Sequence, residues 1–161
     1  MSEHIVLTRW WLRAQDDFAR GRYSRRHEWE FDSGVLIPAS PSPSVVRSPY
    51  SDPTCVDPEE AFVAAISSCH LLSFLHVASR AGFVVVSYSD RAVGRLEKNA
   101  AGVPWVSRVM LHPDISFTSS KTPTKTELSN LHAAAHGQCF IANSVKTSIA
   151  VHPPTHSQTS Q

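Results

Sequence analysis

Three widely spaced cysteines, Cys55, Cys69 and Cys139, are the residues of this chain best suited to redox or metal chemistry. This spacing does not resemble the disulfide framework of a small secreted protein. In a reducing compartment a cysteine pair is more often catalytic, redox-active or metal-binding, and the alternative is three inert buried thiols. Cys69 lies inside one predicted helix and Cys139 at the end of another, so these two are considered together. Their spacing alone does not establish that they meet.

A metal site is the main alternative for the same part of the chain. His132, His136 and Cys139 fall at positions i, i+4 and i+7, so they would share one face of a helix. Cys69 or His70 would then complete a tetrahedral zinc shell. A lone arrangement of two histidines and one cysteine is a weak signal, and the zinc hypothesis stays an alternative.

The longest helical signal in the sequence carries Cys69 at its centre. Asp57 and Glu60 have the spacing of a capping box at its start, and Gly82 follows its last turn. No charged residue lies between Glu60 and Arg80, and apolar side chains point in nearly every direction. We therefore predict a buried central helix that is surrounded by protein.

A membrane span is the competing interpretation of this helix, but its polar residues argue against it. No signal peptide is expected either, because Arg9 and Arg13 interrupt the first apolar run. The chain is therefore predicted to be cytoplasmic and to have no membrane partner. The polar residues of the central helix are Ser67, Ser68, His70, Ser73, His76 and Ser79.

Length and charge limit the remaining classes. The chain has 161 residues, 42% of them hydrophobic, which predicts one globular domain over residues 1–152 and a disordered tail over residues 153–161. Fifteen basic against fourteen acidic residues give a formal charge of +1, which offers no general attraction for nucleic acid. The local arginine cluster at residues 20–26 is interpreted as a solvated loop, so no nucleic-acid partner is expected.

The other segments predict strands and one more long helix. Thr124 and Glu127 form a second capping box, and Gly137 is expected to end the helix that follows. The fold class is therefore α+β, with two long helices packed on antiparallel sheet. Strands are predicted at residues 4–11, 27–31, 35–37, 83–98, 103–117 and 147–152, with 83–98 and 103–117 as one long antiparallel pair.

Two sequence motifs resemble a known family. The stretches PEEAFVAAISSCHLLSFL around Cys69 and AHGQCFIANSVK around Cys139 are similar to the two cysteine motifs of the osmotically inducible protein C and organic hydroperoxide resistance (OsmC/Ohr) family. The resemblance extends over residues 23–151 and includes YSRRHEWEFDSGVLIPAS, DPTCVDPEEA and GFVVVSYSDRAVGRLEK. It implies an OsmC-like fold and an intertwined homodimer, which would also cover the charge-free surface of the central helix.

The resemblance implies a thiol-dependent peroxidase without a bound cofactor. Cys69 would be the peroxidatic cysteine, which attacks an organic hydroperoxide and becomes a sulfenic acid. Cys139 would be the resolving cysteine, which captures that acid as a disulfide, and a lipoyl-type dithiol would reduce the bond. Apolar walls would favour alkyl or fatty-acid hydroperoxides over hydrogen peroxide.

The family motifs also place an arginine and a glutamate at the site. Matching them onto this chain gives Arg25, which would hold the thiolate and polarise the peroxide, and Glu59, which would orient Arg25. Glu59 precedes Cys69 by ten positions, a rise of ~15 Å along a straight helix, so a bend or a subunit contact is needed. Neighbouring arginines that compete with Arg25 are Arg22, Arg26 and Arg47.

Two alternatives remain beside the peroxidase hypothesis. The family is not a zinc family, which argues against the metal site without removing it. A small-molecule-binding protein that keeps the fold without turnover is the second alternative. Cys55 lies in a proline-rich connection and matches no family motif, so it is treated as incidental.

Overall fold

The computed structural model describes residues 2–118 and 120–152. Residues 153–161, predicted to be a disordered tail, lie outside the described residues. The chain divides into two compact units, residues 1–61 and 62–161, which are described separately. That residues 1–152 form one domain stays a prediction.

The first unit contains a three-stranded antiparallel sheet. Its strands are β1 (Val6–Arg9), β2 (His27–Phe31) and β3 (Leu36–Ala39), in the spatial order β1-β2-β3. Gly34 has φ of +82° in the turn between β2 and β3, a conformation that glycine adopts at little cost. The predicted hairpin is therefore present, and β1 is shorter than the predicted strand at residues 4–11.

The long helix α1 (Pro58–Arg80) begins where the sequence predicts. The Glu60 amide donates to the carboxylate of Asp57 at 2.7 Å, and the Asp57 amide donates to the carboxylate of Glu60 at 3.2 Å. This reciprocal pair is a capping box, and it satisfies donors that the first helical turn leaves free. The prediction of the helix start is confirmed.

The end of α1 is also the predicted one. Gly82 has φ of +74°, and the amide of Phe83 donates back to the carbonyl of Ala78 at 3.0 Å. This is a Schellman ending, which needs the left-handed glycine. Lys121 donates to the carbonyl of Ala81 at 2.9 Å and so places a cation at the negative end of the helix.

One stripe of α1 is buried within the single chain. Another face is open in the single chain, since Leu72 is 64% exposed, and its burial by a second copy of the chain stays a prediction. By length and hydropathy α1 would also qualify as a membrane span, properties that it shares with core helices of soluble proteins. The stripe recurs every four residues and consists of Ile66, His70, Phe74 and Ala78.

The second unit adds five strands and one helix to α1. A two-stranded sheet pairs β4 with β7, and a three-stranded sheet has the order β5-β6-β8. A short 3₁₀ helix, Ala142–Ser144, precedes the last strand. The elements are β4 (Val85–Asp90), β5 (Val93–Lys98), β6 (Pro104–Leu111), β7 (Pro113–Phe117), α2 (Lys125–Gln138) and β8 (Ser148–Val151).

The two long strands predicted at residues 83–98 and 103–117 are wrong as continuous strands. The first breaks after Asp90 into β4 and β5, and the second breaks at His112 into β6 and β7. The Asp90 carboxylate accepts hydrogen bonds from the His112 amide at 2.6 Å and from the Ser67 hydroxyl on α1. This carboxylate fixes the point where both strands change sheet.

The last strand pairs in parallel. β8 lies beside β6 with Val109 opposite Ile149, whereas the other strand pairs within residues 2–118 and 120–152 are antiparallel. The predicted antiparallel sheet is therefore correct for most of the fold, and β8 is the exception.

The second helix, α2, has the predicted start but not the predicted end. Thr124 and Glu127 form the capping box. Gly137 does not end the helix, because the chain stays helical through Gln138 and the amide of Cys139 then donates to the carbonyl of His136 at 3.3 Å. Cys139 is thus the residue that caps α2.

The core of the second unit has two parts, and α1 contributes to both. In one part Phe74 and Ala78 of α1 pack with residues of α2 and of the β4–β7 sheet. In the other part Ile66 packs with Val109 and Leu111 of β6 and with apolar residues of β8. The two sheets are therefore joined through one helix, on which Cys69 lies between the two parts.

Candidate active site

The structure brings Cys69 and Cys139 together within the second unit. The two thiols are neighbours, because the consecutive amides of Ile141 and Ala142 reach Cys69 and Cys139, and both thiols are free rather than joined in a disulfide. The packing of α1 against α2 produces this proximity, since Cys69 lies on the first helix and Cys139 caps the second. A dithiol of this kind is a suitable arrangement for reversible oxidation.

Two consecutive backbone amides contact the two sulfur atoms. The Ile141 amide donates to Sγ of Cys69 at 3.5 Å, and the Ala142 amide donates to Sγ of Cys139 at 3.4 Å. The turn that carries them is tied back to the end of α2, because the amide of Asn143 donates to the Cys139 carbonyl at 3.1 Å. The Asn143 side chain donates to the same carbonyl at 2.9 Å.

The two thiols differ in exposure, and the pKa of Cys139 is raised. Cys139 is 1% exposed, whereas Cys69 is half-buried. Burial raises the pKa of Cys139, the hydrogen bond and charge of Cys69 raise it further, and the amides of Ala142 and Ile141 oppose the increase. Cys139 is therefore the thiol that keeps its proton in the reduced site.

A pair of buried histidines lies between the same two helices. Nε2 of His70 is 3.1 Å from Nδ1 of His132, and the two rings are stacked at an interplanar angle of 12°. Burial lowers the pKa of His70, and burial with the neighbouring His70 lowers the pKa of His132 to about 4. Both imidazoles are therefore neutral at neutral pH, and one donates to the other.

The predicted zinc shell is not assembled in the described part of the chain. His132 is buried and bonded to His70, whereas His136 is exposed on α2. Over residues 2–118 and 120–152, no three side chains of the metal-binding types are grouped closely enough to hold an ion. The geometry therefore favours a dithiol over the arrangement that the zinc hypothesis requires.

Arg25 and Glu59 both lie in the first unit. The guanidinium of Arg25 donates to the carbonyl of Tyr23 at 3.0 Å and lies 4.1 Å from the centre of the Tyr23 ring. Glu59 is half-buried in the first turn of α1. Within the described residues Arg25 forms no ion pair with Glu59, and the paired arrangement, like the bend or subunit contact that it requires, stays a prediction.

The neighbouring arginine is already paired. Arg26 donates to the carboxylate of Asp52 at 3.2 Å, while Arg25 contacts carbonyl groups and an aromatic face and, among the described residues, pairs with no carboxylate. Of these two arginines, Arg25 thus has the charge that is free to act on another group.

Cys55 is in the first unit, apart from the dithiol in sequence. Burial and the nearby Asp52 raise the pKa of the Cys55 thiol, which reduces the fraction present as thiolate. This thiol is half-exposed and makes a suitable control for experiments on the other two cysteines.

Two features of the site were missed in the sequence. The buried imidazole pair had one available signal, since His70 lies four residues from both Ile66 and Phe74 and therefore shares their buried stripe. The amides of Ile141 and Ala142 had none, because every residue other than proline carries an N–H group.

Comparison with known proteins identifies the family. The sequence model of the family described as OsmC-like protein matches residues 51–153, a stretch that includes both Cys69 and Cys139. An OsmC-like protein of unknown function from Vibrio cholerae O1 biovar eltor is 47% identical, with a TM-score of 0.92 over 96% of this chain and 100% of that chain. No curated protein matches the chain.

More distant solved structures share the fold. An organic hydroperoxide resistance protein OsmC from Legionella pneumophila is 17% identical, with a TM-score of 0.69 over 95% of this chain and 96% of that chain. The organic hydroperoxide resistance protein OhrB of Bacillus subtilis is 16% identical, with a TM-score of 0.67 over 95% and 98%. These structures confirm the predicted OsmC-like α+β fold. Because the family match spans well over half of the sequence, the chain belongs to the OsmC-like protein family.

Proposed function

We propose that this protein is a thiol-dependent peroxidase that reduces organic hydroperoxides through Cys69 and Cys139. The observation that carries the proposal is that two free thiols, one half-buried and one fully buried, lie beside the same turn on a chain of the OsmC-like family. Membership of this family supports a redox or peroxide-resistance role, and two solved structures with the same fold are organic hydroperoxide resistance proteins.

The first step forms a sulfenic acid on Cys69. The more accessible thiol loses its proton, and the thiolate attacks the terminal oxygen of the hydroperoxide. The S–O bond forms as the O–O bond breaks, and the alkoxide leaves and takes up a proton to give the alcohol. The sulfur is oxidised by two electrons and the peroxide is reduced by two.

The second step forms the disulfide. The Cys139 thiol loses its proton and attacks the sulfur of the sulfenic acid, so that an S–S bond forms while the S–O bond breaks. Hydroxide leaves and is protonated to water. Both sulfurs lie at consecutive amides of one turn, so this step needs little movement of α1 or α2.

An external dithiol completes the cycle. One of its thiolates attacks the Cys69–Cys139 disulfide, and its second thiol displaces the mixed disulfide, which returns both cysteines to the thiol form. A lipoyl-type reductant suits this step because its own product is a stable cyclic disulfide. The cytoplasmic location predicted from the sequence would keep such a reductant reduced.

The surroundings of the thiols favour organic substrates. Ile141, whose amide reaches Cys69, packs its side chain on the core around Ile66, and Phe140 beside Cys139 is 83% exposed. Apolar groups at the mouth of the site add binding energy for an alkyl chain that hydrogen peroxide does not have. The expected substrates are therefore alkyl or fatty-acid hydroperoxides.

The family resemblance supplies the remaining parts of the proposal. Arg25 would provide the cation for the thiolate and the peroxide, and Glu59 would orient it, within an intertwined homodimer. A second copy of the chain would also cover apolar side chains of α1 such as Leu72 and Leu75, which are 64% and 38% exposed.

The test is reduction of cumene hydroperoxide with dihydrolipoamide as the electron donor. Cys69→Ser abolishes turnover because no thiolate remains, and Cys139→Ser allows one reaction before the sulfenic acid is over-oxidised. Cys55→Ser is the matched control and retains wild-type turnover. Full activity of Cys69→Ser, or no activity of the wild type with any dithiol, would overturn the proposal.

A further inference from the structure

The turn after α2 places one backbone donor on each reacting sulfur. The Ile141 amide reaches Sγ of Cys69 at 3.5 Å, and the next amide, that of Ala142, reaches Sγ of Cys139 at 3.4 Å. Two adjacent peptide units therefore face the two atoms that exchange charge during the proposed reaction.

We propose that the N–H groups of Ile141 and Ala142 form a thiolate cradle that stabilises first the Cys69 thiolate and then the Cys139 thiolate. This inference rests on the proposed peroxidase cycle and adds two catalytic groups to it. Each group is part of the main chain, so neither depends on the identity of a side chain.

The physical basis is the strength of hydrogen bonds to charged acceptors. An N–H donor gains more from a thiolate than from a neutral thiol, so it favours the ionised sulfur. A donor already fixed in place requires no reorganisation when the charge appears. Two hydrogen bonds fix the turn here. The Asn143 amide donates to the Cys139 carbonyl at 3.1 Å, and the Ser144 amide donates to the Ile141 carbonyl at 3.0 Å.

The order of action follows from the environment of Cys139. In the reduced site, burial and the neighbouring Cys69 raise the pKa of Cys139, so it remains protonated. Once Cys69 has become a sulfenic acid, its negative charge is gone, while the Ala142 donor stays in place. The Cys139 proton can then leave, and the new thiolate attacks the Cys69 sulfur and expels hydroxide. The same turn thus serves the two steps in succession.

The test replaces single amides by esters. The α-hydroxy acid analogue of isoleucine at position 141 removes the donor to Cys69, and lactic acid at position 142 removes the donor to Cys139, with both side chains unchanged. The analogue of valine at position 145 is the matched control, because among the described residues the Val145 amide neither reaches a thiol nor holds the turn. Thermal melting verifies that each variant is folded.

The first readout does not depend on peroxidase activity. Iodoacetamide reacts with the thiolate form, so its rate with Cys69 at pH 7, followed by mass spectrometry, reports the thiolate fraction. The ester at position 141 is expected to slow this reaction about 3- to 10-fold relative to the ester at 145, because a hydrogen bond to a charged acceptor is lost. Equal alkylation rates of Cys69 in the two ester variants would overturn the proposed thiolate cradle.

The second readout separates the steps of the cycle. In rapid mixing with cumene hydroperoxide, the ester at position 142 is expected to leave sulfenic acid formation unchanged and to slow disulfide formation about 3- to 10-fold. Unchanged disulfide formation would overturn the role of Ala142, whether or not the variant at 141 folds. If the wild type is inert to hydroperoxides while the ester variants still differ in their rate of alkylation, the peroxidase proposal is refuted. The role of the Ile141 amide as a donor to Cys69 is then retained.

Discussion

Nε2 of His70 and Nδ1 of His132 lie 3.1 Å apart and join α1 to α2 through a hydrogen bond between two buried imidazoles. His70 directly follows Cys69, and His132 lies on the helix that Cys139 caps. The described residues offer no partner for Nδ1 of His70 or Nε2 of His132. The pair therefore helps to hold the helices that carry the dithiol, at a cost in unsatisfied polar groups.

The histidine pair predicts loss of stability in mild acid. The pKa of His132 is lowered from the usual 6.5 to about 4, so between these values the unfolded chain binds a proton that the folded chain does not. The contribution is complete above pH 6.5 and falls by about 2 to 3 kcal/mol as the pH decreases towards 4. Urea unfolding at pH 7 and pH 4.5 measures the change.

The groups facing the pair define the controls. His136 lowers the pKa of His70 and Asp90 raises it, so both must be kept in the test. His132→Gln should lower the free energy of unfolding at pH 7 and reduce its decrease at pH 4.5. His76→Gln, on an exposed position of α1, should behave as wild type. An identical pH dependence for His132→Gln and wild type would contradict the assignment.

Asp90→Asn is expected to destabilise the second unit. The carboxylate accepts hydrogen bonds from the His112 amide and the Ser67 hydroxyl, and an amide side chain offers only one acceptor oxygen. We expect a loss of about 1.5 to 3 kcal/mol in the free energy of unfolding, measured by urea denaturation. Asp114→Asn, at an exposed position of β7, is the control, and equal losses for the two would contradict the role of Asp90.

Gly94→Ala and Gly137→Ala should have opposite effects on stability. A Cβ at Gly94 would lie 2.5 Å from Cγ2 of Val63, a stiff β-branched side chain on α1, so a loss of about 1 to 3 kcal/mol is expected. A Cβ at Gly137 meets no atom within 4 Å, and alanine in the last turn of α2 should add about 0.5 kcal/mol. Thermal unfolding compares them, and Val63→Ala should rescue Gly94→Ala.

Arg25→Ala is expected to lower kcat/KM for organic hydroperoxides by about 10-fold or more, since a cation that stabilises both thiolate and peroxide oxygen is lost. Arg26→Ala is the adjacent control and should retain wild-type kcat/KM, because Arg26 is paired with Asp52. Steady-state turnover with cumene hydroperoxide distinguishes the two. The reverse result would assign the role to Arg26.

Helix ends were predictable because their determinants are local. Asp57 with Glu60, and Thr124 with Glu127, satisfy the first turns of α1 and α2 from three residues away. Gly137 misled for a related reason, since a glycine that can end a helix need not do so when later residues supply donors to the last carbonyls, as Cys139 and Asn143 do here. Local spacing therefore predicts where a helix begins better than where it stops.

Sheet topology was less predictable because its determinants are distant in sequence. The alternation of side chains continues through residues 83–98, but Asp90 bonds to His112, 22 residues away, and divides the strand between two sheets. The parallel pairing of β8 also depends on a segment distant in sequence, because β8 takes its register from β6.

The site shows the same contrast between local and distant determinants. The two cysteine motifs indicated which thiols belong together by resemblance, but spacing alone did not, since their proximity depends on how α1 packs against α2. The imidazole pair joins residues 62 positions apart, and periodicity indicates only that each is buried. Whether Arg25 and Glu59 complete the site stays a prediction from the family.

The parallel pairing of β6 with β8 has a consequence for synthesis on the ribosome. Ile149 and Val151 complete the core around Ile66, and the amide of His152 bonds to the Leu111 carbonyl at 2.8 Å. A nascent chain can form α1 and the β5–β6 hairpin early, but β6 keeps an unpaired edge until residue 152 has emerged. The second unit therefore keeps an open strand edge until its last strand has been synthesised, and α1, which carries Cys69, gains its final packing late in translation.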